Sequence, residues 1–303
     1  MKGEVKMEWL DHMNHAISYI EDNLEEKLDY NRVAQAACCS LYHFQRMFSY
    51  MAQIPLAEYV RRRRMTLAAF ELQNSEIKVV DLALKYGYES PEAFTRAFQI
   101  LHGVTPTQAR RHGISMKAYP RISFQITIKG DSEMNYKIIQ KEEFEVYGIE
   151  KIFDTNDGAN LTDIPAFWLE AMNNGELEKL AMSTGIKGGN QIGLGPVNSV
   201  CGYRESIDST FPYMLCAMKT EQCNTEGYKI VKIPAATWAV FSNEPHSIEE
   251  TSSAIQHLVS RVYTDWLPIS NYKKLDGYEL ELYYQNDKGQ YYEETWIRVV
   301  PKE

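Results

Sequence analysis

Gln45 and Arg46 are candidate side chains for a specific polar contact with the edge of a nucleic-acid base. A glutamine amide can form two hydrogen bonds with adenine, and an arginine guanidinium can form two with guanine. Apolar residues recur on one face of the same segment at helical spacing (Leu41, Phe44, Met47, Phe48). The pattern predicts a helix whose outward face carries the polar residues (Tyr42, His43, Gln45, Arg46, Ser49). A base-reading helix and a solvated surface helix both fit this segment taken alone.

The pattern F-x-R-x-F stands at residues 44–48 and again at residues 94–98, a constant offset of 50. Ser40 and Ser90 precede the two copies, where a hydroxyl can cap the first turn of a helix. An internal repeat with the same cap and the same apolar face predicts two copies of one structural unit. Two helix–turn–helix units on a rigid connecting helix could enter major-groove segments about 34 Å apart.

Further helices must position these two segments. Residues 8–24 have an amphipathic pattern, and a helix starting at Pro55 is predicted to run to Leu72. This connecting helix contains four consecutive arginines, of which we expect Arg61 and Arg62 to contact phosphate. Residues 79–86 predict a short helix before the turn that leads to Ser90.

Charge is unevenly distributed along the 303 residues. The whole chain has 32 basic and 41 acidic groups, a net charge of −9. Residues 40–113 nevertheless contain 10 basic and 6 acidic groups, a net charge of +4. This local excess is the electrostatic footprint expected of a surface that binds phosphate.

The composition, with 44% hydrophobic and 24% charged residues, is typical of a soluble globular protein. No apolar run approaches the roughly 20 residues of a membrane span, and the N-terminus lacks the apolar region of a signal peptide. Five cysteines without metal-ligand spacing predict reduced thiols in the cytoplasm. We expect no membrane partner, no metal and no cofactor.

Residues 83–106 match the signature A-x-x-x-G-[FY]-x-[SD]-x-x-x-F-x-R-x-F…G-x-T-P. By this match the chain resembles the DNA-binding domain of AraC/XylS-family transcription regulators, of the Rob and MarA type that works as a monomer. The resemblance implies double-stranded DNA and RNA polymerase as partners. It extends over residues 8–113, with units at about 30–52 and 78–102. The implied DNA-binding residues, with the caps and the two arginines above, are Ser40, Leu41, Tyr42, Gln45, Arg46, Arg61, Arg62, Ser90, Glu92, Thr95 and Arg96.

Two positions depart from the family pattern. Gln53 stands where the first unit usually has glycine, whereas Gly103 fills the equivalent place in the second. If the backbone there requires a positive φ, Gln53 is strained. Tyr42 replaces the tryptophan of the Rob type, which leaves the sequence read by the first unit open.

From about Arg121 the periodicity becomes that of strands. Residues 114–133 are predicted to be a linker with a strand at 122–128 and a turn at 129–132. Strands are then expected at 136–140, 144–152, 197–204, 213–219, 279–284 and 295–300, with a strand pair at 228–242 and helices at 164–182 and from 247 onward. The order predicts a duplicated β-α-β-β arrangement over residues 134–303, an α+β fold with an antiparallel sheet and a groove between its halves. The complete chain is thus predicted to be multidomain, with an all-α double helix–turn–helix domain first.

Several phrases of residues 134–303, among them PVNSVCGY, YKIVKIPAATWAVFS and YELELYY, resemble the GyrI-like effector-binding domain. The resemblance implies an SHS2-like fold and a cavity for hydrophobic, often cationic, small molecules. Glu281 is at the family's pocket-carboxylate position, and a carboxylate on a solvated sheet face is the alternative. The candidate wall residues are Tyr283, Trp168, Trp238, Tyr147 and Tyr213.

We therefore expect a cytoplasmic transcription regulator that senses a small molecule, and an activator rather than a repressor because the family mostly activates. One alternative is a GyrI-like hydrolase that uses Glu281 as a general base. Another is a ligand-binding or protein-binding module without DNA affinity. We expect no enzyme, because a fused DNA-binding domain makes sensing the simpler use of a cavity.

Overall fold

A computed structural model describes residues 8–111, 113–125, 133–155, 159–186, 197–204 and 210–302. The chain divides into two compact units. The first combines Met1–Leu41 with Ile54–Gln125, and the second combines Tyr42–Gln53 with Ile126–Glu303. The segment Tyr42–Gln53 of the predicted first helix–turn–helix thus belongs to the second unit. The predicted domain limits 8–113, 114–133 and 134–303 stay predictions.

Seven helices precede the first strand among the described residues. They are α1 (Glu8–Asp22), α2 (Tyr30–Ala36), α3 (Leu41–Ala52), α4 (Leu56–Asn74), α5 (Val79–Lys85), α6 (Pro91–His102) and α7 (Pro106–Ala109). The order confirms the predicted all-α region and its connecting helix.

Capping side chains explain where α2 and α6 begin. The Asp29 carboxylate accepts hydrogen bonds from the first-turn N–H groups of α2. Ser90 accepts from the N–H of Ala93, and Pro91 supplies the first residue of α6. Gly103, with φ 78°, ends α6 in the left-handed conformation.

The repeat differs at its two left-handed positions. Gly87 (φ 77°) and Gly103 (φ 78°) occupy them in the second unit of the repeat, whereas Cys38 (φ 55°) and Gln53 (φ 57°) occupy the corresponding turns in the first. The prediction of a positive φ at Gln53 is confirmed. A side chain with a Cβ is strained in this region of backbone space, so the first copy stores strain that the second avoids.

One apolar cluster of the first compact unit lies between α4, α5 and α6. Its members include Met65, Leu72, Tyr86, Phe94 and Phe98. The predicted strand at 122–128 is wrong for its described part, because residues 121–125 form no regular element. The Asn14 amide instead holds the backbone of Phe124 from both sides, accepting from its N–H (2.8 Å) and donating to its carbonyl (2.9 Å). Residues 126–132, with the predicted turn, lie outside the described residues.

The described residues of the second unit form an eight-stranded antiparallel sheet. Its strands are β1 (Asn135–Lys141), β2 (Phe144–Asp154), β3 (Asn198–Cys201), β4 (Thr210–Met218), β5 (Lys229–Ile233), β6 (Ala236–Ser242), β7 (Tyr272–Gln285) and β8 (Tyr291–Pro301). The spatial order is β1-β6-β8-β7-β3-β4-β2-β5. Exchanging β1–β4 for β5–β8 reverses this order, so the two halves are related by a pseudo-two-fold axis between β3 and β7. Each half places its first strand on the outer edge of the other half.

The helical segments of the sheet domain follow β2 and β6. They are α8 (Asn160–Asn173), α9 (Glu176–Ser183), a 3₁₀ turn (Ile248–Glu250), α10 (Thr251–Arg261) and a short π-helix (Val262–Trp266). The single helix predicted at 164–182 is wrong, because Gly175 (φ 79°) separates α8 from α9. Each half also has two strands before its helical segment, one more than the predicted β-α-β-β notation. The Ser247–Glu250 capping box is confirmed.

Alternation along β7 sends its side chains to two different environments. Leu280 and Leu282 pack in an apolar cluster with Trp238 and Trp296. Glu279 and Glu281 point to the opposite face. Across the pseudo-two-fold axis, Glu281 pairs with Ser199. Among the described residues, no helix combines the length and the apolarity needed to cross a membrane.

Candidate functional site: recognition helices and a carboxylate-floored cavity

Helix α6 has the exposure pattern of a base-reading helix. Phe94 and Phe98 are fully buried, whereas Glu92 and Arg96 are exposed and Thr95 is half-buried. The buried rings orient the helix, so the predicted DNA contacts of the second repeat project together from one face.

The four consecutive arginines of α4 differ in their contacts. Arg63 pairs with the Glu21 carboxylate through Nε and Nη2, at 2.9 and 2.7 Å, and donates to the Tyr119 carbonyl. Arg64 donates to the carbonyl groups of Leu24 and Glu26, which follow α1. These two side chains stabilise the first compact unit.

Arg61 and Arg62 are placed differently on the same helix. Both pair with Glu58 within α4, and their side chains are 53% and 30% exposed. Their contact with phosphate stays a prediction. A within-helix carboxylate is a weak competitor for them, because exposed ion pairs contribute little free energy.

Helix α3 has the opposite exposure. Tyr42, His43, Gln45 and Arg46 are only 5–7% exposed, so the prediction that they face solvent is wrong for this structure. They are buried because α3 packs against the sheet within the second compact unit. Leu41 is also buried, whereas Ser40, which immediately precedes the helix, is exposed.

Arg46 lies over two glutamates of β7. Its Nη2 donates to Glu281 Oε1 at 3.1 Å, and its Nε lies 3.1 Å from Glu279 Oε2. The second contact is an ion pair without a hydrogen bond, since Nε has no partner in hydrogen-bonding geometry. The guanidinium also stands 5.3 Å from the centre of the Tyr50 ring, within cation–π range.

Glu279 is the centre of a buried charge cluster. Lys274 Nζ lies 2.8 Å from its Oε1 and 3.0 Å from His43 Nδ1, which can accept from the ammonium only as a neutral ring. Burial alone would raise the pKa of Glu279, but Lys274 and Arg46 outweigh it and hold that pKa well below the ordinary carboxyl value. Burial and the Lys274 ammonium lower the pKa of His43. The cluster therefore contains two cations and two carboxylates once Glu281 is included.

Further contacts hold α3 on the sheet. The Tyr42 ring packs 4.2 Å from the Phe211 ring, and its hydroxyl donates to Cys201 Sγ at 3.1 Å. Thr155 donates a hydrogen bond to the Gln45 amide oxygen. The polar atoms that the sequence assigns to base reading are thus used within the protein.

Beside this cluster lies a cavity of about 420 Å³. Its floor is Glu281, whose Oε2 accepts hydrogen bonds from Ser199 (3.0 Å), Tyr283 (3.2 Å) and Tyr213 (3.4 Å). The Glu281 side chain is 12% exposed, so the alternative of a carboxylate on a solvated sheet face is wrong. Of the predicted wall residues, Trp168, Tyr213 and Tyr283 line the cavity with it.

The walls of the cavity are mostly apolar and aromatic. The Trp168 indole packs edge-on against the Tyr283 ring at 5.0 Å and donates its N–H to the Tyr213 hydroxyl. The other lining residues come from α3, α8, β8 and the segment 248–256 (Arg46, Ser49, Tyr50, Asn160, Ile164, Pro165, Leu169, Met172, Ile248, Glu249, Thr251, Ser252, Ile255, Gln256, Tyr291). Such a site, with a buried carboxylate among aromatic rings, can bind an organic cation.

Two predicted wall residues lie elsewhere. Trp238 is fully buried in the cluster on the opposite side of β7, 6.0 Å from the Trp296 ring. Tyr147 is fully buried beside α9, where its hydroxyl bonds the Ser183 hydroxyl. Neither lines this cavity, because both are core residues of the sheet.

Sequence reasoning missed that α3 contributes to the cavity. Ser49, Tyr50 and Arg46 line it, and Glu279 stands behind Arg46. Strand alternation along β7 puts Glu279 on the same face as Glu281. No local signal in α3 indicates a place on the sheet, since the same residues also fit a solvent-facing helix.

Comparison with known proteins agrees with both halves of the chain. Residues 134–300 match the GyrI-like small molecule binding domain, and residues 33–112 match a helix–turn–helix domain. The transcriptional activator AarP of Providencia stuartii is 37% identical over 98 residues, which cover 32% of this chain and 73% of AarP. The multiple antibiotic resistance protein MarA of Escherichia coli K12 is 37% identical over 94 residues, covering 31% of this chain and 74% of MarA.

A solved structure, described provisionally as a bacterial transcription regulation protein from Staphylococcus aureus MU50, is 17% identical, with a TM-score of 0.42. The alignment covers 56% of this chain and all of the solved one. The GyrI-like match spans more than half of this chain, and the chain covers more than two thirds of AarP. This chain therefore belongs to the AraC/XylS-type transcription regulators and carries a GyrI-like small-molecule binding domain behind its DNA-binding part.

Proposed function

We propose that the cavity binds a hydrophobic organic cation at Glu281 and that the chain adjusts transcription in response. The observation that carries the proposal is a mostly buried carboxylate at the floor of an aromatic cavity. A cation there gains charge attraction in a medium of low polarity and cation–π attraction from rings such as Trp168 and Tyr283. A neutral molecule of the same shape gains only the apolar contacts.

Calorimetric titration of the full chain with tetraphenylphosphonium tests this proposal, with triphenylphosphine oxide as a neutral probe. We expect Glu281→Gln to weaken binding of the cation by about tenfold, or 1.4 kcal/mol, and to leave binding of the neutral probe unchanged. Glu249→Gln is the matched control, because Glu249 lines the same cavity but is exposed and its charge is screened by water. Equal loss in both variants would refute a specific role of Glu281.

For DNA, we propose that Glu92, Thr95 and Arg96 of α6 read bases and that Arg61 and Arg62 contact phosphate. The exposed face of α6 supports the first part, and the partial exposure of the two arginines supports the second. Arg96→Ala should weaken binding to a selected DNA site by about 1–3 kcal/mol and should change binding to random DNA little. Arg61→Ala should weaken both alike and reduce the salt dependence.

We further propose that the cavity binds its ligand without catalysis. Each Glu281 oxygen already accepts a hydrogen bond, Oε1 from Arg46 and Oε2 from three hydroxyl groups. A general base needs an oxygen directed at the proton that it removes. Hydrolysis of p-nitrophenyl acetate that is lost in Glu281→Gln would contradict this assignment.

The regulator is proposed to act in the cytoplasm as a monomeric activator that contacts RNA polymerase. Two helix–turn–helix units in one chain suffice for neighbouring groove segments, so no second copy is needed. AarP is named as an activator, which supports the direction. Light scattering of the DNA complex and transcription in vitro with purified polymerase test these points, and a dimer on DNA or repression alone would overturn them.

A further inference from the structure

Arg46 occupies the place that a ligand cation would need at Glu281. Its Nη2 lies 3.1 Å from Glu281 Oε1, and Arg46 itself lines the cavity. The side chain is only 6% exposed, although Arg96, its counterpart in the repeat, is exposed. The cavity thus already contains an internal cation.

Charge balance decides what a bound cation does. Glu279 and Glu281 are balanced by Arg46 and Lys274, all four largely shielded from water. A ligand cation added beside Glu281 would leave three cations facing two carboxylates, and an uncompensated buried charge is strongly unfavourable. If Arg46 leaves as the ligand enters, the balance is restored. A neutral ligand creates no such pressure.

The departure of Arg46 affects the rest of α3. The contacts that hold this helix on the sheet include the Tyr42–Cys201 and Gln45–Thr155 hydrogen bonds. A donor or acceptor used inside the protein is not simultaneously presented to a base. Burial on the sheet and DNA reading by α3 therefore exclude one another.

We propose that Arg46 couples the cavity to DNA: a cation at Glu281 displaces the Arg46 guanidinium and releases α3 for the major groove. This inference rests on the proposed cation site and assigns its regulation. Because the coupling is reciprocal, DNA that captures Arg46 also increases the affinity of the cavity for the cation. A neutral molecule of the same shape binds without releasing α3.

The first experiment measures cation affinity in the absence of DNA. Tetraphenylphosphonium is titrated into the full chain, into Arg46→Ala and into Arg96→Ala, with folding checked by circular dichroism. Arg46→Ala removes the internal competitor and should lower the dissociation constant of tetraphenylphosphonium by about tenfold or more. This change is expected if the state with α3 released is a minor one in the wild type. Arg96→Ala removes the same side chain from the other copy and should match the wild type. Unchanged or weaker binding to folded Arg46→Ala overturns the proposal.

The second experiment measures DNA binding by fluorescence anisotropy, using a duplex selected from a random pool by the full chain. Tetraphenylphosphonium is suitable because it is not planar and cannot stack between bases. It should increase DNA affinity about tenfold, whereas triphenylphosphine oxide should not. Glu281→Gln should bind DNA more tightly without any cation and lose the response, whereas Glu178→Gln, at an exposed residue of α9 that does not line the cavity, should respond like the wild type.

The outcomes separate the two ideas. A cation that binds the wild type but leaves DNA affinity unchanged, or lowers it, overturns the coupling and leaves the cavity assignment intact. A cation that binds neither the wild type nor Arg46→Ala refutes the cation site and, with it, the coupling.

Discussion

Replacing Gln53 by glycine should stabilise the protein. Gln53 has φ 57° and is exposed, and a left-handed conformation costs a residue with a Cβ about 1–2 kcal/mol. Glycine removes that strain but loses about 0.5–1 kcal/mol through the greater freedom of the unfolded chain. The Gln53 amide also donates to the Tyr50 carbonyl, a bond that water can replace at an exposed site. The expected net gain is about 0.5–1 kcal/mol.

The repeat provides a matched control at Gly103. A Cβ added there meets no atom within 4 Å, and φ is 78°, so Gly103→Ala changes backbone conformation without a steric clash. It should destabilise by about 1 kcal/mol. Cys38→Gly, at the other strained turn, should stabilise as Gln53→Gly does.

Urea unfolding followed by far-UV circular dichroism measures all three variants. A higher midpoint with an unchanged denaturant slope identifies a gain in stability rather than a change of the unfolded state. Destabilisation by Gln53→Gly together with no effect of Gly103→Ala would show that the left-handed turns carry no strain.

Three other changes test the contacts around the site. Arg63→Met leaves the Glu21 carboxylate, 9% exposed, without its main partner and should cost about 3 kcal/mol in the free energy of unfolding, measured in urea; a loss below about 0.5 kcal/mol would contradict this. The depressed pKa of Glu279 contributes stability that is present above the ordinary carboxyl value of 4.5 and is lost as pH falls below it. Glu279→Gln should therefore flatten the pH dependence of unfolding there, and an unchanged curve would count against the buried ion pairs. Trp168→Ala removes a ring from the cavity wall and should weaken the binding of tetraphenylphosphonium, measured by calorimetry, by about 1 kcal/mol. An unchanged affinity would show that Trp168 is not part of the site.

Local patterns in the sequence predict much of this structure. The fifty-residue offset, the Ser90 cap and the apolar spacing around Phe94 suffice for α6, because these effects act within a few residues. Strand alternation places Glu281 opposite Leu280 and Leu282 for the same reason.

The incorrect predictions concern contacts between distant segments. Alternation at 122–128 suggested a strand, but the Asn14 side chain, 110 residues away, bonds the backbone of Phe124 instead. The helical pattern across 164–182 concealed the break at Gly175. Trp238 and Tyr147 are aromatic like the true wall residues, and only the sheet order determines which aromatic rings reach the cavity. The burial of α3 likewise depends on pairing with partners more than 100 residues away.

Arginine at position 46 suits both environments of α3 for one geometric reason. Glu279 and Glu281 are two residues apart on one strand face, so their Cα atoms are separated by about 7 Å. A planar guanidinium can face both with different nitrogens: here Nη2 donates to Glu281 and Nε forms an ion pair with Glu279, whereas a lysine ammonium is a single point of charge. The same fork is what recognises the two acceptors of guanine in the major groove. The pair of carboxylates thus offers Arg46 an internal substitute for a base edge. Because the substitute uses the same donors, a cation that takes the place of Arg46 at these carboxylates frees the guanidinium for a base edge.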